Sequence, residues 1–295
     1  MDVQAQVKVS IRFYGDSIVR AVWDEGSSRW LFSLVDVVGA INGVADHEKN
    51  RNYYKYLKGK LRREDSELVS ATNRFRLVAP DGKRRLTDVA DMDTIIAVAA
   101  HFPGKRAVPF VAWLTGSDDS IDGRSKAKAY TLLDGNMLDS IETGTVRGLC
   151  QIHAYLFAGL YPFAGQVRTV NIAKGGFRFA MARFLPDTLS RVERMPDDTF
   201  DNIVDKYVEM NIAHPFREGN GRATRIWLDM MLRRAVRKCV DWSLVPKDAY
   251  LDAMRRSVTD PTMIRNLLSQ ALTERINDRE TFMKGIDYSY YYEQP

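Results

Sequence analysis

Two cysteines in 295 residues are too few for a disulfide framework or a zinc-binding set. Cys150 and Cys239 stand alone and read as small buried hydrophobes in a reducing compartment. No stretch approaches the roughly 20 consecutive apolar residues that a membrane-spanning helix requires. The first residues, Met1 to Gln6, have neither a basic segment nor an apolar run, so no secretory leader is expected. These absences together predict a cytoplasmic protein with no membrane partner. Internal repeats and long low-complexity tracts are also missing, which excludes solenoids and arrays. Net charge is only +5, and its placement is uneven: residues 1–116 carry +4 and the remainder +1. An anionic partner is therefore more naturally assigned to the first part of the chain.

With 45% apolar and 27% charged residues, the composition is that of a globular protein, and the length suits two domains. The first part reads as α+β. Val7, Val9, Ile11 and Phe13 alternate with polar residues, Gly15-Asp16 turns the chain, and strands are expected at Ile18–Trp23 and Trp30–Phe32. Ser33, with Asp36 three positions on, starts a helix that should stop near Gly43. Another helix is expected over 52–61. A hairpin should turn at Pro80-Asp81-Gly82, and Thr87 should cap a helix running to about His101. The small, acidic, aperiodic stretch 117–123 is the expected linker between a domain over 1–116 and one over 124–295. Beyond it the pattern is mainly helical, with helices at 126–139 and 145–160. A β-hairpin is expected around Lys174, Gly175, Gly176 and Phe177, and a helix over 222–237 is apolar over most of its circumference.

Chemistry concentrates in one stretch, His214-Pro215-Phe216-Arg217-Glu218-Gly219-Asn220-Gly221-Arg222-Ala223-Thr224-Arg225. Pro215 ends the preceding helix. The glycines allow close approach of a ligand, and the next helix begins with exposed N–H groups that attract anions. Arg222 and Arg225 share a helix face and suit a polyphosphate. Glu218 offers the hard oxygen that Mg2+ prefers when phosphates complete its shell. His214 can take a proton near neutral pH. A base, a metal ligand and a phosphate cradle within twelve residues suit attack by a hydroxyl on a nucleotide phosphate. The alternative for Arg225 is a surface ion pair with Asp229, one turn on.

This stretch resembles, position for position, the Fic signature H-x-F-x-[D/E]-G-N-G-R-x-x-R. The resemblance implies a mainly helical Fic (Fido) domain that transfers AMP from ATP to Ser, Thr or Tyr hydroxyls of a target protein. It implies His214 as general base and Glu218 as Mg2+ ligand. Gly219, Asn220, Gly221 and Arg222 become phosphate binders, and Arg225 the holder of the outer phosphates. The segments Ile152–Phe157 and Tyr161–Arg168 resemble the upstream Fic helix and its turn, with His153 read as a packing residue. The hairpin at Lys174, Gly175, Gly176 and Phe177 sits where such proteins carry a flap that docks the target as an added strand. At the other end, Ser289 and Glu293 resemble an inhibitory helix written [S/T]-x-x-x-E-[G/N], expected over about 286–294, with Gln294 departing from that pattern. Its glutamate would hold Arg225 away from phosphate. Type II topoisomerases are one target class the resemblance suggests. Self-modification on the C-terminal tyrosines and homo-oligomers that bury the brake are further expectations.

Segments of the first part, among them Phe13–Asp16, Trp30–Val37 and Leu86–Asp91, resemble a Bro-N domain over about 9–114. That resemblance implies DNA contact. The basic stretch of 49–63, with Lys55, Lys58, Lys60, Arg62 and Arg63 among three tyrosines, is the expected surface for it. Two other functions stay open: a DNA-binding regulator whose Fic part only senses nucleotide, and a Fic enzyme with another donor.

Overall fold

The computed structural model describes residues 9–64, 66–79, 83–116, 120–132, 134–174 and 176–293. The chain divides into two compact units, Met1–Ser117 and Asp118–Pro295.

In the first unit β1 (Val9–Tyr14) and β2 (Ser17–Asp24) form a hairpin whose two-residue loop puts Gly15 at φ 55. After β3 (Arg29–Ser33) come α1 (Leu34–Asn42), α2 (His47–Glu64) and α3 (Ser66–Ser70). The strands β4 (Asn73–Val78) and β5 (Arg84–Ala90) complete an antiparallel sheet of order β1-β2-β3-β5-β4, followed by α4 (Met92–Ala99) and α5 (Gly104–Thr115). The Ser33 side chain caps α1 by accepting from the Asp36 N–H, and Gly43 ends it in the left-handed conformation. Between those caps α1 buries residues on nearly every side, so it is the centre of this core, packed with Phe32, Ile95 and Phe110. A paired contact from Arg20 of β2 to the Asp36 carboxylate, at 2.6 and 2.7 Å, ties the helix to the sheet.

Thr87 caps no helix. It lies inside β5 opposite Phe75, and the strand continues to Ala90 because it pairs with β3 as well as β4. The cap passes to Asp91, whose side chain accepts from the Thr94 N–H. The turn expected at Pro80-Asp81-Gly82 lies outside the described residues, as does Val7.

The second unit is mainly helical. It opens with α6 (Ile121–Thr131), then a 3-10 segment at Asp134–Ser140 and α7 (Val146–Phe157). The linker expected over 117–123 is therefore too long at its C-terminal end. Ser120 accepts from the Gly123 N–H and Asp122 sits in the first turn, so a good cap outweighs a loop-like composition. For the same reason the helix expected over 126–139 begins earlier and gives way to the 3-10 segment. Two short strands, β6 (Ala173–Lys174) and β7 (Phe177–Arg178), form the hairpin, shorter than the alternation suggests. Then follow α8 (Leu185–Glu193), α9 (Phe200–Ala213), α10 (Asn220–Val236), β8 (Cys239–Val240), α11 (Lys247–Arg256), α12 (Thr262–Gln270), β9 (Leu272–Thr273) and α13 (Arg279–Tyr291).

Helix α10 runs through the middle of this unit, with α7, α9 and α13 packed around it. Its Trp227 is fully buried and donates from Nε1 to the Thr145 carbonyl at the start of α7. The C-terminal helix begins seven residues before the expected 286, capped by Asp278, and ends at Tyr291. Glu293 lies just past its end, with its N–H on the Tyr290 carbonyl. No helix among the described residues is long and apolar enough to cross a membrane.

Candidate active site

The site is built on the loop between α9 and α10. His214 is the last cap of α9 and takes a left-handed backbone, φ 49 and ψ 65. A non-glycine residue holds that conformation only where its surroundings impose it. Here the buried guanidinium of Arg168 does so. Its Nε donates to the His214 carbonyl at 2.8 Å and its Nη2 to the carbonyls of Ala213 at 3.0 Å and Ala180 at 2.5 Å. The Arg168 backbone N–H also donates to the Pro215 carbonyl. Arg168 is thus a positioning residue that sequence reading placed only within a similar segment.

The loop is closed from within. Asn220 donates to and accepts from the backbone of Phe216, both at 2.8 Å, and Phe216 is fully buried against His153, ring to ring at 3.8 Å. The Asn220 side chain was expected on phosphate. In the structure it is committed to the loop, and what this residue offers an anion is its place in the first turn of α10. His153 donates from Nε2 to the Glu218 carbonyl and accepts the Gly165 N–H at Nδ1. Burial lowers its pKa to about 4, so it is a neutral strut.

Gly219 caps α10 at φ 80, and a Cβ there would stand 2.5 Å from the Phe157 ring. Both facts demand glycine. Gly219→Ala is expected to lower stability by ~2 kcal/mol or more, from left-handed strain plus the clash. Denaturant unfolding would measure it, and a change within ~0.5 kcal/mol would contradict this account of the loop.

His214 itself is half-buried. Its Nδ1 faces the Asn211 carbonyl at 3.2 Å, which favours a proton on Nδ1 and leaves Nε2 as acceptor. Phe179, just after the β6–β7 hairpin, stacks on it at 3.7 Å. Burial lowers the imidazole pKa to about 4, partly opposed by the Asn211 carbonyl and the Glu293 charge. The imidazole is therefore neutral at pH 7.

At the N-terminus of α10 the two arginines meet different partners. Arg222 pairs with Asp122 of α6 and, at 3.0 Å, with Glu218, and it lies between the rings of Phe157 and Tyr290. Its Nε has no hydrogen-bond partner. Asp122 was assigned to the linker by composition and so was missed. Arg225 is buried and does not reach Asp229, which instead accepts from the Val240 N–H and Trp242 Nε1. Arg225 donates to the Ser289 hydroxyl at 2.8 Å, the Ser289 carbonyl at 2.7 Å and Glu293 Oε1 at 2.6 Å. Burial alone would raise the Glu293 pKa, but Arg225 beside it holds it down at about 2. The same Oε1 lies against Gly221, where an added Cβ would come within 2.2 Å. The carboxylate thus sits over the first turn of α10, where an anion would bind.

Of the hairpin residues, Lys174 reaches Glu293 at 3.4 Å, Gly176 turns at φ 81, Phe177 packs against Phe179 and Gly175 lies outside the described residues. His214, Lys174, Gly221, Arg225, Ser289 and Glu293 are brought together in this way. Glu218 stands at the rim, about half exposed. No group of three or more His, Cys, Asp or Glu among the described residues could hold a metal unaided. One carboxylate completed by phosphate oxygens remains consistent with Mg2+.

The sequence profile of the Fic/DOC family matches residues 144–232. The second unit contains a Fic/DOC domain. Protein adenylyltransferase VbhT of Bartonella schoenbuchensis is 29% identical over 169 residues, 46% of this chain and 35% of that one. The chain thus spans about a third of that relative's length. Probable protein adenylyltransferase Fic of Salmonella typhimurium is 28% identical over 151 residues, 46% of this chain and 75% of its own. Among solved structures, BepC of Bartonella tribocorum with bound AMPPNP aligns with 52% of this chain and 84% of its own, at 19% identity and a TM-score of 0.44. The matched part of the Fic/DOC domain takes in α7, the hairpin, α8, α9, the loop and most of α10. Asp122, Ser289 and Glu293, which occupy its two arginines, lie outside that match.

Proposed function

We propose that the Fic/DOC domain transfers AMP from ATP to a hydroxyl of a target protein, and that Glu293 holds it in check. The observation that carries this reading is a neutral imidazole, His214, on the loop that leads into an anion-attracting helix start with Arg225 behind it. In the step, the target's hydroxyl oxygen attacks the α-phosphorus of ATP. An O–P bond forms to the target, the bond from the α-phosphorus to the bridging oxygen breaks, and pyrophosphate leaves. The hydroxyl proton passes to His214 Nε2. A nucleotide sensor would need the loop and the arginines but no base, so His214 favours turnover.

Arg225 would hold the outer phosphates once Glu293 withdraws, with the α10 amides beneath them. Arg222 would join after releasing Asp122 and Glu218. Glu218, freed from Arg222, is the residue that would hold Mg2+, which offsets phosphate charge when bound. The hairpin with Lys174 and Phe177 is the proposed docking edge for the target. Of the C-terminal tyrosines, Tyr290 donates its hydroxyl to Ser125 and Tyr292 donates to the Trp242 and Val245 carbonyls, so either would have to leave those partners to accept AMP. The first unit is read as Bro-N-like.

The test is incubation of the protein with a lysate and ATP labelled at the α-phosphate, beside ATP labelled at the γ-phosphate. Label on protein from the α-position alone supports AMP transfer. Label from the γ-position alone, appearing only when the protein is added, would make it a kinase and end this reading.

A further inference from the structure

The first unit holds a cavity of about 440 Å³ between α2 and the β4–β5 pair, floored by Val35, Tyr54 and Ala79. That volume lies in the range of small-ligand sites, roughly 300–1,000 Å³. Its walls are basic. Arg51, Lys55, Lys58 and Arg62 recur at spacings of four, three and four along α2, one helical stripe of about 16 Å. Arg74 and Arg85 face them from the strands, and Asp88 is the one acidic lining residue among the described residues.

Some of this charge is already neutralised. Arg20 is paired with Asp36, and Lys58, Arg74 and the Tyr54 hydroxyl all converge on Asp88. Arg51, Lys55 and Arg62 make no ion pair among the described residues, and Asp88 across the cavity is taken by Lys58 and Arg74. The His47 pKa is pushed down by burial first and by Arg20, Arg51 and Arg85, against Asp36, which raises it. Three cations around a concave site that already gathers donors onto one carboxylate form an anion receptor.

Shape decides between a compact anion and an extended strand. The basic stripe stops at both ends of α2, at Asp46 and Glu48 on one side and at Glu64 and Glu67 on the other. A nucleic-acid strand leaving the cavity along the helix would lose the stripe beyond Arg62, where Glu64 is held by Lys60 outside the cavity. Lys60 and Arg63, expected on such a strand, do not line the cavity, and Lys60 pairs with Glu64. We propose that this cavity binds a compact polyphosphate ligand of nucleotide size, at a site separate from the α10 loop.

The probe is inorganic tripolyphosphate, titrated calorimetrically into the full chain. Binding is expected to weaken at least about tenfold in Arg51→Glu/Lys55→Glu and to survive Arg225→Ala unchanged. Arg51 and Lys55 are exposed, so the melting temperature of that double variant should hold. Arg62→Gln alone should give a smaller loss in the same direction. The proposal is overturned if tripolyphosphate does not bind at millimolar concentration, or if only Arg225→Ala abolishes binding. It is equally overturned if a single-stranded DNA of roughly 12 nucleotides binds tighter and loses that affinity in Arg51→Glu/Lys55→Glu, which would make the cavity part of a nucleic-acid track.

Discussion

Glu293→Gly is expected to raise AMP incorporation by roughly tenfold to a hundredfold over the unaltered chain. The reason is competition for one guanidinium. Arg225 gives Glu293 a 2.6 Å contact while Ser289 holds its other edge, so a phosphate oxygen must displace a carboxylate already desolvated there. A hydrogen bond between charged groups contributes ~1.5–3 kcal/mol, and each 1.4 kcal/mol is a factor of ten in nucleotide seating. Glycine removes the competitor and leaves α13 anchored through Ser289, Tyr290 and Tyr292. Mild acid should not imitate the substitution. A carboxylate whose pKa falls from 4.5 to about 2 stays charged in the folded chain until well below pH 4, while its contribution to stability fades progressively from about pH 5 down to about 2. The measurement is initial-rate labelling at matched protein concentrations. Equal rates for both proteins would show that Glu293 restrains nothing.

In the Glu293→Gly background, His214→Ala is expected to lower the rate by about 10²–10⁴-fold while nucleotide still binds. Removing the imidazole removes the proton acceptor but leaves Arg225 and the α10 start in place. The pH profile carries a sharper expectation. A base whose pKa is depressed stays in its active, neutral form to lower pH, so the acidic limb of kcat/KM should lie near 4 rather than at the 6.5 of free imidazole. Loss of the Glu293 charge, which favours the imidazolium, moves that limb lower still. A limb near 6.5 that vanishes in His214→Ala would keep the base and refute the buried environment assigned to it. A profile and rate unaffected by His214→Ala would remove the base altogether.

The site was legible because its residues are contiguous. Twelve neighbours carry the base, the glycine turn and both arginines, and a motif of that density survives without any knowledge of packing. Ser289 and Glu293 were also legible, through their resemblance to an inhibitory helix; what escaped were Asp122 and Arg168, which act on the site from elsewhere. Asp122 lies a hundred positions from Arg222, inside a stretch whose composition reads as linker. Arg168 is an ordinary arginine until the fold wraps four carbonyls around it. Asn220 is read from the motif as a phosphate binder, and the bonds of its side chain to the Phe216 backbone are a further demand that the motif does not display. In the first unit, local pattern found the strands and the cap of α1. It failed at Thr87, where partners on both sides extend β5, because strand pairing is a long-range fact.

The loop from His214 to Gly219 is closed by Asn220, His153 and Arg168 without help from any ligand. Its residues have therefore already lost most of their conformational freedom when the chain folds. A nucleotide arriving there meets a rigid receptor, so little of its binding free energy is diverted into ordering protein. The heat-capacity change of binding in Glu293→Gly should then be small, matching the surface covered by the nucleotide rather than a segment that folds around it.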